Sequence, residues 1–564
     1  MTPAGAPRPR KARSRSGGYP GTGTESQAGT IRLGRPSGRW VILATVLGSG
    51  MVMLDGTAVN VALPTIGGQL DTTLGGLQWT VSGYTLALAG LILLGGSLGD
   101  RLGRRRVFLI GVAWFALASA LCGLAPGIVV LIAARVLQGA GGALLVPGSL
   151  AIIQASFDPS DRPRAIGAWS GLGGLAAAIG PLLGGWLVVS AGWRWVFLLN
   201  LPLAIVVIGV TLRHVPETRD DQAAHQFDVL GAGLAALALA GITYSLIGSP
   251  GRGGAGSASQ IAAAVLGTAA AVSFVAVERH RGRAAPRSAA WGRAVPQRAA
   301  RGETEPGPAT RRRTSPRRGP APMVPLDVFA SRQFSAINVI TFAVYGAFGG
   351  MLFLLVLQLQ VGAGFSALAA GAALLPVTVL MLLLSPRSAA LAQRVGPRWL
   401  MTTGISTCAV GMLLMLRIGD DARYLTDVLP AVVVFGFGLS MVVAPLTATV
   451  LASADVRHAG VASGINNAVA RAAGLLAVAG LPAAVGLRAA DYHSPALLGN
   501  GFRAAIVICA GLLAVAAVLA VTLVDDKVLA ASPDQAIAEP ASVRMCAVEA
   551  PPLESVSPAP DRAD

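Results

Sequence analysis

Long apolar segments recur along the whole chain and restrict it to one class of fold. Each is about 20 residues long, the length that an α-helix needs to cross the hydrocarbon core of a bilayer. The segments are continuous rather than alternating, which favours helices over a membrane β-barrel. Charged residues make up 13% of the chain, against about 25% in soluble domains. The sequence therefore predicts an all-α polytopic membrane protein.

Fourteen segments are predicted to span the membrane. The loops between them alternate in charge: arginines are dense before the first span and after every second one, and sparse in the remaining loops. The positive-inside rule then places both termini in the cytoplasm, which requires an even number of spans. We expect a multi-pass protein of the plasma (inner) membrane with spans at 40–63, 78–98, 107–125, 128–153, 165–189, 196–212, 229–248, 260–278, 335–358, 368–386, 399–417, 428–450, 464–487 and 502–524.

Three stretches lack the apolar pattern. Residues 1–39 and 525–564 are polar and are predicted to be disordered cytoplasmic tails, and residues 279–332 carry thirteen arginines against three acidic residues. The Ala, Arg, Pro and Gly composition of 281–322 predicts a disordered cytoplasmic linker. The alternatives are a patch for anionic lipid and, more remotely, nucleic-acid binding, for which interleaved aromatic residues and a folded module are missing. Topology thus explains the net charge of +17, and no nucleic-acid partner is expected.

Two charged residues inside predicted spans are candidates for proton coupling. Asp55 is the only charge between Trp40 and Gln69, and Arg135 lies within 128–153. An ionisable residue in hydrocarbon is costly and marks a functional site by default. An arginine nearby favours the charged carboxylate whereas burial favours the protonated one, so the pair is predicted to exchange protons near the working pH. The alternatives are an interfacial Asp55 and an ion pair that only holds spans 1 and 4 together.

The turn between the second and third predicted spans carries a dense charged motif, GDRLGRRR at residues 99–106. Its glycines allow a tight turn, and its aspartate pairs with an arginine or caps the next helix. A charged latch of this kind biases one conformation of a rocking bundle. A merely solvated basic loop would explain the arginines but not the spaced glycines. The predicted latch residues are Gly99, Asp100, Arg101, Gly103, Arg104 and Arg105.

The fifth predicted span is rich in glycine and contains Gly180-Pro181 and Gly184-Gly185. Proline breaks the helical hydrogen-bond ladder, so a bend is expected. Together with Gly173 and Gly174, the glycines predict a pliable, closely packed helix that limits leakage during exchange. Simple close packing by small residues is the alternative.

Polar and aromatic residues inside other spans are candidates for a substrate cavity. Each has the alternative role of an interhelical hydrogen bond or an interface anchor. The scarcity of other membrane charges favours an apolar or amphipathic substrate. The candidates are Asn60, Trp79, Tyr84, Gln138, Gln358, Asn466, Asn467 and Arg471.

The 99–106 motif closely resembles the loop motif of the major facilitator superfamily, and the resemblance extends over residues 54–205. Leu54–Ile66 resembles the first-span signature of the fourteen-span drug:proton antiporter branch. Leu131–Ile153 resembles its fourth-span motif with a buried arginine, here Arg135, and Gly167–Leu187 resembles its fifth-span antiporter motif. Trp193–Ile205 is similar to the segment that follows, and Ala459–Gly474 matches more loosely in the second half.

The resemblance implies two six-helix bundles, 40–212 and 335–524, with an extra helix pair at 229–278 between them. It implies a proton-coupled antiporter that exports lipophilic or amphipathic organic compounds, with Arg135 taking part in coupling. The basic 279–332 linker is a departure from the family pattern. Uptake by symport and a non-transporting membrane sensor or scaffold are the alternatives.

No enzyme and no cofactor are expected. The sequence has no GxxxxGK[ST] motif, so the proton gradient rather than ATP is the predicted energy source. It has no Ser/His/Asp constellation, and its four cysteines are far apart without a CxxC motif, so neither a disulfide framework nor a metal site is supported. The expected partners are a small organic substrate, protons and membrane lipid, and the sequence does not specify an oligomeric state.

Overall fold

The computed structural model describes residues 31–158, 161–219, 228–247, 257–284, 324, 326–453, 459–488, 491 and 494–526. Seven helices make up the first half of the chain. They are α1 (Pro36–Gln69), α2 (Leu74–Leu102), α3 (Arg104–Gly123), α4 (Ile128–Ser156), α5 (Arg162–Ser190), the short α6 (Arg194–Leu198) and α7 (Asn200–His214), the last two forming one span.

The second half repeats this arrangement after a helix pair, α8 (Val229–Leu246) and α9 (Ala258–Ala284). A turn of 3₁₀-helix at Leu326–Ala330 leads into it. The remaining helices are α10 (Arg332–Leu357), α11 (Ala367–Ala372), α12 (Leu375–Val395), α13 (Pro397–Leu414), α14 (Leu429–Ala452), α15 (Ala459–Ala484) and α16 (Pro495–Leu523); π-helical turns at Gln358–Gly362 and Tyr424–Val428 extend α10 and α14.

The described helices confirm the predicted fold class. Thirteen are long and apolar enough to cross a membrane, and α2 supplies the fourteenth span, in which Leu74–Ile92 and Leu94–Leu102 meet at 50°. Each coincides with one predicted segment. The fifth span, α5, continues as one helix through Pro181, the position at which the sequence predicted a bend.

The segments predicted as tails and linker are described only in part. Helix α9 runs to Ala284, six residues past the predicted end of its span, because the polar residues Glu278 and Arg281 continue the helix and contact Asp228 and Val324. The last residues of the predicted N-terminal tail are anchored: Ile31 lies opposite Phe157, its N–H donates to the Ser156 carbonyl, and its carbonyl accepts from the Asp158 N–H. Residues 1–30, 285–323 and 527–564 lie outside the described residues, so their predicted disorder is not tested.

Helices α8 and α9 pack on each other and lie across the gap between the two bundles. A Cβ on Gly90 of α2 would lie 3.0 Å from Ala236 of α8, and a Cβ on Gly480 of α15 would lie 3.4 Å from Leu246 of α8. On the two facing helices of the pair, Gly241 and Gly267 allow backbone contact. Small residues permit such approaches in membrane bundles. The pair therefore contacts both bundles.

The two bundles meet at one end of the molecule, where α1 ends and α2 begins; we refer to this as the closed end. The side chain of Gln360 donates a hydrogen bond to the Val61 carbonyl at 2.9 Å, and the side chain of Gln78 donates to the Val478 carbonyl at 2.7 Å. One apolar core is continuous across both bundles here, whereas the opposite end of the first bundle has its own core. The bundles therefore diverge away from the closed end.

Candidate functional site

Asp55 lies in the interior of the first bundle, where it accepts hydrogen bonds from three side chains. Its Oδ2 forms an ion pair with Arg135 Nη1, and its Oδ1 accepts from Gln138 Nε2 at 2.9 Å and from Asn200 Nδ2 at 3.2 Å. Asp55 is 0% exposed and Arg135 is 1% exposed. The structure thus brings together the two residues predicted for proton coupling, and it excludes an interfacial position for Asp55.

Further residues complete the hydrogen bonding of this pair. Ser119 of α3 accepts from Gln138 Nε2 at 3.0 Å and from Asn200 Nδ2 at 2.9 Å. The Gln138 side-chain oxygen accepts from Arg135 Nη1 at 2.6 Å, and the Thr80 carbonyl of α2 accepts from Arg135 Nε at 3.1 Å. We call Asp55, Ser119, Arg135, Gln138 and Asn200 the buried network. It ties α1, α3, α4 and α7 together, with α2 joined through its backbone.

Tyr84 covers the guanidinium of this network. Its ring lies 4.1 Å from Arg135 Cζ, and its hydroxyl donates to the Val52 carbonyl at 3.0 Å. Stacking on an aromatic face stabilises a desolvated guanidinium. Tyr84 and Gln138 were predicted to line the substrate cavity, but both are buried at the ion pair, because arginine offers the strongest partner for a tyrosine ring or an amide oxygen in an apolar bundle.

Sequence reasoning did not identify Ser119, Asn200 or the Thr80 carbonyl. Asn200 begins α7 and Ser119 lies near the end of α3, so neither stands out in an otherwise apolar span. The available signal was the cost of burying a polar side chain, which requires a partner. That cost indicates that a partner exists, but it does not say which helix provides it.

The 99–106 loop forms a folded turn that is fastened to the end of the first bundle. Asp100 pairs with Arg104 at 2.8 Å, as one of the two predicted roles for this aspartate requires. Gly103 has φ +105°, and Glu217, which follows α7, accepts the backbone N–H of Arg105 at 3.2 Å. A carboxylate at a helix N-terminus is stabilising, so Glu217 caps α3.

The second bundle has the same arrangement at the corresponding turn. Gly396 has φ +93° and precedes α13, and Asp526, which follows α16, accepts the backbone N–H of Arg398 at 3.1 Å. In both bundles the carboxylate follows the last helix and binds the second residue after the glycine. Neither Glu217 nor Asp526 was identified from the sequence, because each lies more than 110 residues from its partner.

The glycines of α5 divide into two groups. A Cβ on Gly184 would lie 2.8 Å from the Ala58 carbonyl of α1, and a Cβ on Gly185 would lie 2.5 Å from the Ala367 carbonyl of α11. Gly180 likewise faces Thr57, whose hydroxyl donates to the Ala177 carbonyl at 2.9 Å. Gly173 and Gly174, in contrast, have no atom within 4 Å of a Cβ position. The predicted close packing therefore holds near the closed end and not along the whole helix.

A cavity of about 170 Å³ lies between the bundles. Of the eight predicted cavity residues, Asn60 and Arg471 line it. The Asn467 side-chain oxygen accepts a hydrogen bond from Arg471 Nε at 3.2 Å. Asn466 Nδ2 instead donates to the Thr341 hydroxyl at 2.8 Å. Elsewhere, Trp79 contacts Tyr244 of α8, and Gln358 is buried near the Ile418 carbonyl.

No set of metal ligands is present among the residues that the structure describes. Three or more His, Cys, Asp or Glu side chains do not converge anywhere in these ranges. Cys122, Cys408 and Cys509 are buried thiols. Cys546 lies outside the described residues.

The sequence model of one protein family matches most of this chain. The Major Facilitator Superfamily model covers residues 45–479, which run from within α1 to within α15 and include the helix pair. The chain belongs to the major facilitator superfamily. Members of this family are transporters, so the expectation of a non-enzyme agrees with the family.

Curated relatives in the superfamily are named for drug and antibiotic efflux. The chain is 34% identical over 439 residues to the probable actinorhodin transporter of Streptomyces coelicolor, covering 76% of this chain and 70% of that protein. It is 32% identical over 462 residues to the tetracenomycin C resistance and export protein of Streptomyces glaucescens, covering 81% and 77%.

Solved transporter structures share the fold at low sequence identity. A bacterial homolog of the human lysosomal transporter Spinster, in an inward-facing and unoccupied conformation, superposes with a TM-score of 0.58 and 16% identity. The match covers 88% of this chain and 99% of that one.

Proposed function

We propose that the chain is a proton-coupled antiporter that exports amphipathic organic compounds by alternating access. The observation that carries the proposal is the Asp55–Arg135 pair, sealed inside a transporter bundle and shared by four of its helices. Export is supported by the curated relatives, two of which are named as a transporter and an export protein for antibiotics. The predicted energy source is the proton gradient.

Protonation of Asp55 would disturb every helix that the buried network joins. An ionised carboxylate only accepts hydrogen bonds, whereas a protonated one carries an O–H donor. Arg135, Gln138 and Asn200 all present donors to Asp55, so a proton there displaces at least one of them. In this conformation Asp55 is 0% exposed, and we infer that it exchanges its proton in another conformation of the cycle.

Two helices connect the buried network to the interface between the bundles. On α1, Thr57 and Ala58 contact the glycines of α5 within one turn of Asp55. On α2, Thr80 and Tyr84 contact Arg135, whereas Ser82 lines the cavity between the bundles. A shift of Arg135 away from Asp55 would therefore act on both the cavity wall and the α1–α5 contact.

The arginine-rich loops support a plasma (inner) membrane position with both termini in the cytoplasm. With that orientation the closed end faces outward, and the conformation is open toward the cytoplasm. Membrane lipid and protons are the proposed partners besides the organic substrate.

Proteoliposomes with an acidic interior test the proposal. We would measure accumulation of two permanently charged probes, 2-naphthalenesulfonate and trimethyl-2-naphthylammonium, which do not titrate and cross bilayers slowly. We expect accumulation of at least one probe by the wild type, dependent on the pH gradient, and its loss in Asp55→Asn. Asp71→Asn is the matched control, because Asp71 is exposed after α1 and lies outside the network.

Three outcomes would contradict this function. Accumulation without a gradient would exclude proton coupling, and accumulation only with an acidic exterior would indicate symport. Gradient-driven accumulation that survives in Asp55→Asn would move the coupling site away from Asp55.

A further inference from the structure

The cavity between the bundles is built from both halves of the chain. Asn60 of α1 and Ser82 of α2 face Tyr345 of α10 and Arg471 of α15 across it. Every other lining residue is apolar or glycine except Thr85, whose hydroxyl donates to the Val81 carbonyl of its own helix at 3.1 Å. The lining therefore offers few polar groups, and its charge is decided by one residue.

Arg471 is that residue, and no carboxylate in the described part of the chain pairs with its positive charge. Its Nε donates to the side chain of Asn467 at 3.2 Å, which is a neutral contact. Among the described residues, no Asp or Glu lies within ion-pair distance of Arg471, and none lines the cavity. Asp55, the acidic residue of the first bundle interior, is already paired with Arg135. A guanidinium in a membrane interior ordinarily has a partner or faces a wet cavity.

Ser82 provides a second, independent observation at the same cavity. The residue is 1% exposed, it lines the cavity, and its hydroxyl oxygen has no hydrogen-bond partner. A buried hydroxyl without a partner is unfavourable, because its desolvation is not compensated. Thr80 and Thr85, on the same helix, both use their hydroxyls for backbone carbonyls of the preceding turn. The Ser82 hydroxyl is thus a buried donor without a partner at the cavity wall.

The geometry points to a binding site for an organic monoanion, in which Arg471 pairs with the anionic group and Ser82 donates a hydrogen bond to it. A guanidinium fork matches the oxygen pair of a carboxylate or sulfonate. One cation without an acidic neighbour complements a single negative charge and opposes a cationic ligand. This inference rests on the proposed function, because it names the class of compound that the same transporter carries.

Aromatic walls and size narrow the class to a compound with a flat apolar body. Tyr345 and Phe348 line the cavity, and the Phe348 ring is held by Phe435, with centroids 5.9 Å apart and planes at 10°. A dry cavity of about 150 Å³ is known to hold a benzene molecule. A cavity of about 170 Å³ therefore accommodates one aromatic ring beside Arg471. Larger substrates require the bundles to separate further.

Three probes of one shape and different charge test the inference by binding. The full chain in nanodiscs is dialysed to equilibrium against benzenesulfonate, neutral benzamide or trimethylphenylammonium, each of which carries one aromatic ring. We expect the sulfonate to bind tightest. Arg471→Gln should weaken its binding by roughly 10- to 100-fold, the loss expected for a hydrogen-bonded charge, and Ser82→Ala by roughly 2- to 10-fold.

Matched measurements separate loss of the anion site from loss of the fold. Arg503→Gln removes a charge from the exposed face of α16, away from the cavity, and should leave sulfonate binding unchanged. The neutral probe should bind wild type and Arg471→Gln equally, which shows that the cavity is intact. Arg471→Lys should retain part of the sulfonate affinity, because it keeps the charge without the fork.

The outcomes distinguish this inference from the proposed function. Equal sulfonate binding by wild type and Arg471→Gln, or tighter binding of the cation than of the sulfonate, would overturn the anion site even if transport follows the proton gradient. Arg471-dependent sulfonate binding without gradient-driven transport would support the anion site and refute the antiporter.

Discussion

Substitution of Gly185 by alanine should selectively destabilise the conformation in which the two bundles are in contact at the closed end. Gly185 is on α5, in the first bundle, and its neighbour is the backbone of α11, in the second. An added Cβ would lie 2.5 Å from the Ala367 carbonyl oxygen and 2.8 Å from Leu368 Cα. Both are backbone atoms, so no side-chain rotation relieves the clash, and the two bundles must move apart.

The size of the effect follows from the cost of overpacking. One extra methyl group in a well-packed contact costs about 1–3 kcal/mol. This cost is present only while α5 and α11 touch, so it changes the ratio of closed to open conformations by roughly 5- to 150-fold. The higher helix propensity of alanine, about 1 kcal/mol at most, acts in both conformations and does not alter the ratio.

Gly174→Ala is the matched control for this prediction. It makes the same chemical change on the same helix, but its Cβ would meet no atom within 4 Å. Gly371→Ala, on the α11 side of the contact, should behave like Gly185→Ala because its Cβ would meet the Pro181 carbonyl.

Single-molecule energy transfer between dyes on the loops at the closed end of the two bundles would measure the populations. We expect the long-distance state to increase in Gly185→Ala and Gly371→Ala and to stay at the wild-type level in Gly174→Ala. Indistinguishable populations in Gly185→Ala and Gly174→Ala would refute the reasoning, because the clash would then not depend on the contact between bundles.

Two further predictions concern the ends of the helices. Glu217→Ala should lower the free energy of unfolding by about 1 kcal/mol. Glu217→Gln should lower it by less, because glutamine still accepts a hydrogen bond from the Arg105 N–H at the start of α3. Equal losses in the two variants would contradict the capping role. Burial raises the pKa of Asp228, but hydrogen bonds with Arg281, Glu278 and the Gly231 N–H outweigh it and leave the pKa below its usual value. The ionised Asp228 side chain therefore stabilises the α8–α9 contact fully above the usual aspartate pKa of about 3.9. This stabilisation is lost as the pH falls through the lowered pKa. Hydrogen exchange should show protection of α8 that declines in acid, and Asp228→Asn should remove this pH dependence; an unchanged acid profile in Asp228→Asn would contradict the assignment.

Sequence reasoning captured features that depend on composition along one segment. The fourteen spans were located because bilayer thickness sets the length of an apolar helix. Asp55 and Arg135 were recognised because a charge in hydrocarbon is conspicuous without any knowledge of its neighbours. They were predicted to interact as an electrostatic pair across the bundle, and the structure brings them into contact.

The sequence did not distinguish residues with the same chemistry and different neighbours. Gly174 and Gly185 lie on one helix, but only the second meets α11. Asn60 lines the cavity, whereas Asn466 bonds Asn338 and Thr341 inside the second bundle.

The sequence by itself determined the number and position of the membrane spans and the two charges that the first bundle must bury. Helical periodicity states which residues share a face, but small and apolar faces fit many partners, and in a membrane no hydrophobic force selects among them. Only the tertiary structure therefore decided that Ser119 and Asn200 join the ion pair, and that Arg471 faces the cavity with no carboxylate from the described residues beside it. Both facts depend on helices that are distant in the chain and adjacent in space.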